Sequence, residues 1–309
     1  MESLIKPLTP NKATFGRHET FALRYGWLTK GFQAFQGDSR IFNSDEATVR
    51  LGVGKNMVNS IRYWLRATQM LDMKSGGLQA TEIGEAILSE QGWDPYLEDE
   101  ATLWLIHWLL SSNAELATAW FWFFNCFHKA EFNVDEAANA LVDFVNQQFS
   151  GKHSEKTVRH EINLISRMYS EAKSSSKVDL EDALDVPLVS LRLIKPAGSA
   201  QDYLSRPERR DNLPLGVFAF AVNEVFNYRQ VPSLPITDLM YGEKGGVALG
   251  SVFRLTESAL IAKMENVVGR YPEIFQINET AGINQLFRNK DDAVSLNFLR
   301  HHYENYGVG

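Results

Sequence analysis

The fold is decided by residues 45–81, DEATVRLGVGKNMVNSIRYWLRATQMLDMKSGGLQAT. Ser44 is a suitable N-cap for a short helix, which the glycine turn Gly52-Val53-Gly54 ends. A longer helix is predicted from about Lys55 to Thr68, followed by a hairpin that turns at Ser75-Gly76-Gly77. This order of elements is that of a winged helix-turn-helix.

The longer helix carries two stripes of different chemistry. The apolar stripe is spaced i, i+3, i+7 and i+10 and comprises Val58, Ile61, Leu65 and Thr68. The other face is polar and cationic, and its residues are Lys55, Asn56, Asn59, Arg62 and Arg66. Docking in the major groove requires an apolar back and such a front, because Arg pairs with guanine edges or phosphates and Asn with adenine edges. Two alternatives stand beside this interpretation: some winged helices serve only as protein-protein modules, and the solvated face of any surface helix also carries Lys and Arg.

Charge is distributed unevenly along the chain. The formal net charge is −7 over 309 residues. Residues 1–80 hold 11 Lys and Arg against 6 Asp and Glu, whereas the rest of the chain holds 20 against 32. A basic end on an acidic protein favours a local DNA contact over a protein coated in nucleic acid.

Several classes of protein are excluded or disfavoured by composition. The single cysteine, Cys126, excludes an intramolecular disulfide and a multi-cysteine metal site. Residues 1–10 lack the apolar core of a signal peptide. The most apolar stretches, around 103–110 and 117–127, are too short to span a bilayer, which takes about 18 residues, and are predicted to be buried core helices. We expect a cytoplasmic protein with no membrane partner.

A cluster of charged residues precedes the basic helix. Arg17, His18, Glu19 and Arg24 lie among aromatic residues, and a helix is predicted from Glu19 onward. Such a cluster suits phosphate binding or acid–base chemistry. We therefore predict Arg17 and Arg24 as DNA contacts and His18 and Glu19 as catalytic residues. The alternative is a salt-bridged helix start, with Glu19 at the positive end of the helix and His18 as its cap.

A second cluster is acidic and lies before the first apolar helix. Asp94, Glu98 and Asp99 fall within a few residues of one another. Carboxylate oxygens are the ligands that Mg²⁺ prefers, and a nuclease uses such an ion to activate water. We predict these three residues as candidate metal ligands, with Glu19 as a further one. The alternative is that these acidic residues only stabilise the start of the helix, since negative charge in a first turn interacts favourably with the helix dipole.

The fold class predicted for the whole chain is mainly α. We expect a winged helix-turn-helix region over 1–90, an all-helical core over 91–172 and a C-terminal helical domain over 177–309, with the serine-rich residues 172–176 as linker. In the C-terminal half a short helix, a strand at Ser251–Leu255 and a long helix partly repeat the winged-helix order. That half lacks a cationic stripe and is assigned to scaffold or partner contacts.

Long blocks of the sequence resemble a known bacterial family. The blocks are FGRHETFALRYGWLTKGF, LGVGKNMVNSIRYWLRAT, DPYLEDEATLWLIHWLLSS, TAWFWFFN, LPLGVFAFAV and SVFRLTESAL. They resemble the SspB-like family, first described as a domain of unknown function, whose genes travel with those for DNA phosphorothioation. The resemblance covers most of the chain, and it concerns the B component of the Ssp antiviral defence system, not the protease adaptor of the same name.

The resemblance implies a DNA nickase that depends on Mg²⁺. Single-strand breaks would let partner enzymes place sulfur in one strand. The implied partners are DNA, a cysteine desulfurase, an ATP-using sulfur-transfer enzyme and an ATPase. A nick needs an aimed water and cations around the charged transition state.

Two other classes of function stay open. The chain contains no P-loop, nucleophile elbow or HEXXH motif. This absence favours a non-enzymatic DNA-binding adaptor or regulator that recruits the phosphorothioation machinery. A purely structural hub, with the acidic C-terminal half as its contact surface, is the third possibility.

Overall fold

Helices form most of the computed structural model, and small antiparallel sheets join them, as the mainly α prediction expected. The structure describes residues 3–171, 185–199, 201–242, 246–280, 283–290 and 293–306. The predicted linker at 172–176 lies outside these residues. Buried apolar side chains from both halves of the chain form one continuous core.

The first group of elements, which we call the N-terminal unit, spans residues 25–80. It contains α1 (Tyr25–Gly37), α2 (Ala47–Leu51), α3 (Lys55–Ala67), β1 (Leu71–Lys74) and β2 (Gly77–Ala80). β1 and β2 form a hairpin in the register Leu71 opposite Ala80. The helix, glycine turn, helix and hairpin therefore follow in the predicted order, but the first helix begins at Ala47 with Glu46 at its N-cap, and not with the predicted Ser44.

Two glycines explain how α2 and α3 are placed. Gly52 ends α2 with a φ of 65°, a left-handed conformation that glycine adopts without steric cost. Gly31 of α1 lies against α3, where an added Cβ would come within 2.5 Å of Ile61. The close crossing buries Val58, Ile61 and Leu65 almost completely. α3 is thus fixed through its apolar stripe.

The centre of the molecule is built from nearly all-apolar helices. They are α5 (Glu100–Ser111) and α6 (Thr118–Asn125), which are buried as predicted, and they follow the short helix α4 (Glu82–Leu88), which has an exposed acidic side. His107 of α5 is fully buried. Its Nδ1 lies 2.9 Å from the Tyr169 hydroxyl, and its Nε2 lies 2.9 Å from the Val252 carbonyl. Burial lowers the pKa of His107 to about 3, so this histidine is a neutral hydrogen-bonding link between elements far apart in sequence.

A second group, the middle unit, spans residues 131–204. It contains β3 (Glu131–Asn133), α7 (Val134–Gln148), α8 (Glu155–Tyr169), β4 (Lys195–Ala197) and β5 (Asp202–Leu204). β4 and β5 form a hairpin, and β3 pairs with β5 to give the strand order β3-β5-β4. This sheet joins residues from both sides of the boundary predicted at 172–177.

The third group, the C-terminal unit, spans residues 215–288. It contains α9 (Leu215–Arg229), β6 (Ser233–Pro235), α10 (Ile236–Tyr241), α11 (Leu249–Val252), α12 (Glu257–Arg270), β7 (Phe275–Thr280) and β8 (Ile283–Arg288). The strand order is β6-β8-β7, which repeats the pattern of the middle unit. The helix α13 (Ser295–Tyr306) follows and packs on α9.

One element of the C-terminal half differs from its prediction. Ser251–Leu255 was predicted as a strand, but the chain there completes α11 and turns into the start of α12. The side chains from Ser251 to Leu255 are all buried, including the polar Ser251 and Arg254, so no exposed side distinguishes the period of a helix from that of a strand. A short apolar run does not distinguish a strand from a buried helical turn.

Candidate nucleic-acid interface

The polar face of α3 lies on the surface of the molecule. Lys55, Asn56 and Asn59 are exposed, and Arg62 and Arg66 are half-buried. The opposite stripe, from Val58 to Thr68, is buried. All five residues predicted as DNA contacts on this helix therefore share the side that the protein core leaves open.

The two arginines lie four residues apart on α3 and are therefore neighbours on its surface. Arg62 donates from Nη1 to the Asn43 side-chain oxygen at 3.0 Å. The pKa of Arg66 is lowered by burial and by the charge of Arg62, and Asp72 on β1 only partly opposes this. A phosphate between these guanidiniums would relieve their mutual repulsion and supply the acceptor for a bidentate bond.

A cleft lies beside Arg62 of this face. It has a volume of about 820 Å³ and is lined by Gln36, Gly37, Asp38, Ser39, Arg40, Asn43 and Ser44. Its wall includes Asn43, the partner of Arg62. The cationic face therefore continues into a concave polar surface.

The segment before α1 is a turn and not the predicted helix start. Glu19 and Thr20 have φ values of 51° and 68°, which a right-handed helix excludes, and α1 begins only at Tyr25. Arg17 and Glu19 are exposed on this turn, whereas His18 between them is buried. The turn therefore presents one cation and one carboxylate to solvent and uses the histidine as an anchor.

His18 is only 2% exposed. Its Nδ1 accepts from the Thr20 backbone N–H at 3.1 Å, so its proton lies on Nε2, which donates to Glu161 Oε2 at 3.1 Å. The ring also stacks on Trp64 of α3, with centroids 6.1 Å apart. A general base needs a lone pair within reach of its proton donor. As placed here, His18 presents no free nitrogen to a water, and its contacts are those of a residue that positions the turn.

Glu161, the partner of His18, was missed in the sequence. Its other carboxylate oxygen accepts from the Gly16 backbone N–H at 2.6 Å, and the side chain is almost fully buried. The available signal was its position on α8, one residue before Ile162 and three after Val158, both of which are buried. An acid on the apolar side of a helix needs a partner, because an unpaired buried charge is costly.

Arg24 lies at the start of α1, apart from the turn that carries Arg17. Its Nε is 3.8 Å from Asp185 Oδ2, and its guanidinium lies over the Trp27 ring at 5.6 Å. These contacts hold the side chain against the protein. Arg24 is half-buried and keeps part of its charge on the surface.

The acidic loop, which we define as residues 94–99, is organised around Asp94. Asp94 is 5% exposed. Its Oδ1 accepts from the Glu98 N–H at 2.8 Å, and its Oδ2 accepts from the Asp99 N–H at 3.0 Å and the Thr102 hydroxyl at 2.5 Å. The Tyr303 hydroxyl lies 2.8 Å from the same Thr102 oxygen. The carboxylate of Asp94 thus ties the loop to α5 and α13.

Asp99 closes the other end of the loop. Its Oδ1 caps α5 by accepting from the Ala101 N–H at 2.8 Å, and its Oδ2 lies 3.0 Å from His302 Nε2 on α13. Burial opposes ionisation of Asp99, but the hydrogen bonds from His302 and Ala101 outweigh it, so the pKa of Asp99 lies below its usual value.

The predicted metal site is not formed as expected. Asp94, Glu98 and Asp99 do not converge, because Asp94 and Asp99 are held by hydrogen bonds while Glu98 is exposed. Within the described ranges, no three His, Cys, Asp or Glu side chains are grouped so that they could hold a metal ion. The backbone amides that follow each acid compete for the oxygens that a metal would need.

Comparison with known proteins identifies relatives over almost the whole chain. The profile of the family described as "Protein of unknown function (DUF4007)" matches residues 15–303. A solved structure described as "Magnesium ion-bound SspB crystal structure" is 29% identical, with a TM-score of 0.85, and the match covers 99% of this chain and 91% of that one. A second, "SspB crystal structure", has the same identity and a TM-score of 0.84, over 98% and 90% of the two chains. None of the curated proteins matches the chain.

The apolar helices are also consistent with their predicted place in the core. Of the helices in the described part of the chain, none combines the length and the apolar character needed to cross a membrane.

Proposed function

We propose that this chain binds duplex DNA through α3 and makes single-strand breaks for DNA phosphorothioation. The chain belongs to the DUF4007 family and is similar to SspB along nearly its whole length. The observation that carries the DNA contact is the face of α3, whose polar and cationic side chains are accessible while its apolar stripe is buried. The nicking step rests on the likeness to SspB.

In this proposal the N-terminal unit is a winged helix-turn-helix. α3 enters the major groove, with Asn56 and Asn59 available for adenine edges and Arg62 and Arg66 for guanine edges or phosphates. The hairpin β1–β2 lies after α3 and carries Lys74, which is exposed and suited to a backbone contact. Phosphate contacts by these cations make binding fall with salt.

The residues of this chain offer part of what a nick requires. Arg17 and Glu19, exposed on the turn before α1, are the candidates for contacting a scissile phosphate and its attacking water. His18 holds that turn through Glu161. One similar SspB structure is described as magnesium-bound, but the acidic loop here does not fit as the holder of such an ion. No step of the proposed reaction is therefore assigned to a metal.

A DNA-binding adaptor is the second candidate function. It is favoured by the engagement of both His18 nitrogens and by the satisfied state of Asp94 and Asp99. In this case the chain would mark a DNA site for the other proteins of the system. We propose the same partners in either case: a cysteine desulfurase, an ATP-using sulfur-transfer enzyme and an ATPase.

Plasmid relaxation distinguishes the two candidates. Purified protein is incubated with supercoiled plasmid in Mg²⁺ or in EDTA, beside Glu19→Ala and Arg62→Ala/Arg66→Ala. A nickase gives open-circular product that decreases in both variants. If wild-type protein shifts DNA on a gel but leaves the plasmid supercoiled in both buffers, the adaptor function replaces the nickase.

A further inference from the structure

The helix that precedes the hairpin has a counterpart in each of the three units. In the N-terminal unit it is α3 and in the C-terminal unit α12. In the middle unit it is α8, after which a 3-10 helix, Pro187–Leu191, comes before β4. The middle and C-terminal units also share a strand order in which the first strand pairs with the last. By position in this architecture, α8 and α12 correspond to α3.

The exposed face of α8 repeats the pattern of α3. Its side chains at i, i+4, i+7 and i+11 are all exposed and are Lys156, His160, Asn163 and Arg167. These are the intervals of Lys55, Asn59, Arg62 and Arg66 on α3. The opposite side of α8 is buried through Val158, Ile162 and Ile165. Both helices therefore combine an apolar back with a front of cations and an amide.

The charge of this face suits an anionic partner. Lys152, in the loop before α8, is also exposed. Arg159 forms an exposed ion pair with Glu155, with Nε and Oε1 2.9 Å apart, and also donates to Asn139. Glu161 is buried against His18 and contributes no surface charge. Exposed cations thus outnumber exposed acids on α8 and its preceding loop.

The third helix in this position has a different surface. The exposed side chains of α12 include Glu257, Ala262, Glu265 and Asn266. Its one exposed arginine, Arg270, donates to His301 and lies over the Tyr271 ring at 6.0 Å. The cationic pattern is therefore a property of α3 and α8 and does not follow from the shared architecture.

The segment of residues 15–21 connects α8 to α3. The Gly16 N–H and the His18 ring both bond to Glu161 of α8, and Arg167 donates from Nη2 to the Thr20 carbonyl at 3.2 Å. From the other side, the Trp64 indole of α3 donates to the Phe21 carbonyl at 3.3 Å. The turn that exposes Arg17 thus lies between the two helices.

We propose that α8 is a second DNA-contacting helix, which binds phosphates of the same duplex beside the segment reached by α3. This inference rests on the proposed DNA binding and extends it to a composite surface of α3, the turn at Arg17 and α8. The partner is a nucleic acid rather than a protein because the exposed side chains of α8 are all polar or charged and include no apolar anchor.

Salt-dependent DNA binding tests the proposal. The first variant, Lys156→Ala/Arg167→Ala, removes two cations. The second, Lys156→Ala/Asn163→Ala, leaves the Arg167 bond to Thr20 intact. The matched control is Arg209→Ala/Lys290→Ala, which removes two exposed cations elsewhere. We expect the first variant to bind roughly tenfold more weakly and to reduce the slope of log K against log salt by about 1.8. The second variant should reduce this slope by about half as much. The control should change neither the affinity nor the slope.

The outcomes separate this inference from the function it rests on. If Arg62→Ala/Arg66→Ala weakens binding while both α8 variants bind as wild type, the α8 surface is not a DNA contact and the inference is overturned. If the control loses as much as the α8 variants, the effect is one of net charge and the inference is also overturned. If wild-type protein does not bind duplex DNA, the proposed function itself fails.

Discussion

The face of α3 and the acidic loop at 94–99 are both clusters of charge, but their surroundings are opposite. On α3 the cationic and amide side chains lie on the surface, and Arg62 has a neutral amide as its partner. In the acidic loop Asp94 accepts three hydrogen bonds and Asp99 is bonded to His302. The first cluster is available to a ligand, whereas the second already holds its ligands within the chain.

This difference separates charged side chains that can bind a ligand from charged side chains that stabilise the fold. A charged side chain on the surface stays hydrated, so it costs little folding free energy, and it attracts a ligand of opposite charge. A buried carboxylate must be satisfied by the fold, since leaving it unpaired costs several kcal/mol. Changes in α3 should therefore alter DNA binding, and changes in the acidic loop should alter the free energy of unfolding.

The largest effect is expected for Asp94→Ala. The substitution leaves the Glu98 and Asp99 amides and the Thr102 hydroxyl without their acceptor, so we expect a loss of about 4 kcal/mol of unfolding free energy. Urea denaturation measures it, and Glu98→Ala, an exposed acid in the same loop, is the control. A folded Asp94→Ala protein with unchanged stability and lost plasmid nicking would instead place Asp94 in the nicking reaction.

The next effect concerns Arg62→Ala/Arg66→Ala. Removing both guanidiniums should weaken duplex binding roughly 100-fold, about 2.7 kcal/mol, because each arginine is worth about 1–3 kcal/mol to a base or phosphate pair. Gel shift or anisotropy measures the affinity, with Arg209→Ala/Lys290→Ala as control. Melting temperature should change little. Unaltered affinity in the double variant would remove α3 from the interface.

A smaller effect, with a characteristic pH dependence, is expected for His302→Gln. The pKa of Asp99 is lower in the folded chain than unfolded, so Asp99 stabilises the fold above its unfolded pKa, and this contribution is lost as pH falls through the folded pKa. Without the His302 charge the folded pKa rises. The acid loss should then begin at higher pH, within about pH 5 to 2, and stability at pH 7 should fall by about 1 kcal/mol.

Unfolding free energies of wild type and His302→Gln across this range provide the measurement. Glutamine keeps a donor for Asp99 but cannot carry a charge. Parallel curves for the two proteins would show that the His302–Asp99 contact does not bias the ionisation of Asp99.

The smallest effect is expected for Glu98→Ala. Its side chain is exposed, so stability should stay within about 0.5 kcal/mol of wild type. DNA affinity should also be unchanged, because Glu98 lies outside the α3 face. A large loss of nicking with unchanged binding would instead identify Glu98 as a residue of the reaction.

The elements of the N-terminal unit were predictable because local rules determine them. Gly52 requires a left-handed turn, and the spacing of Val58, Ile61 and Leu65 specifies which side of α3 is buried. The helix predicted from Glu19 was wrong, since a polar sequence between aromatics does not reveal two residues of positive φ. That turn is imposed by Glu161, which is more than a hundred residues away in sequence.

The roles of the charged residues were harder to predict for the same reason. Asp94 and Asp99 are residues of the type that bind metals. In the structure, however, Asp99 bonds to His302 and Asp94 is linked through Thr102 to Tyr303, and both partners come from the last helix. The pattern on α8 was visible in the sequence. Its correspondence to α3 appears only when β3 is seen to pair with β5.

The pairing of β3 with β5 also sets an order for synthesis and folding. The N-terminal unit is complete once residue 80 has been made, because all its strands are local. β3 must wait for a partner 69 residues further along, at the pair Asn133 and Asp202. On the ribosome α8 would therefore emerge before its unit can close, and a stall between these points would leave its apolar stripe for a chaperone to cover.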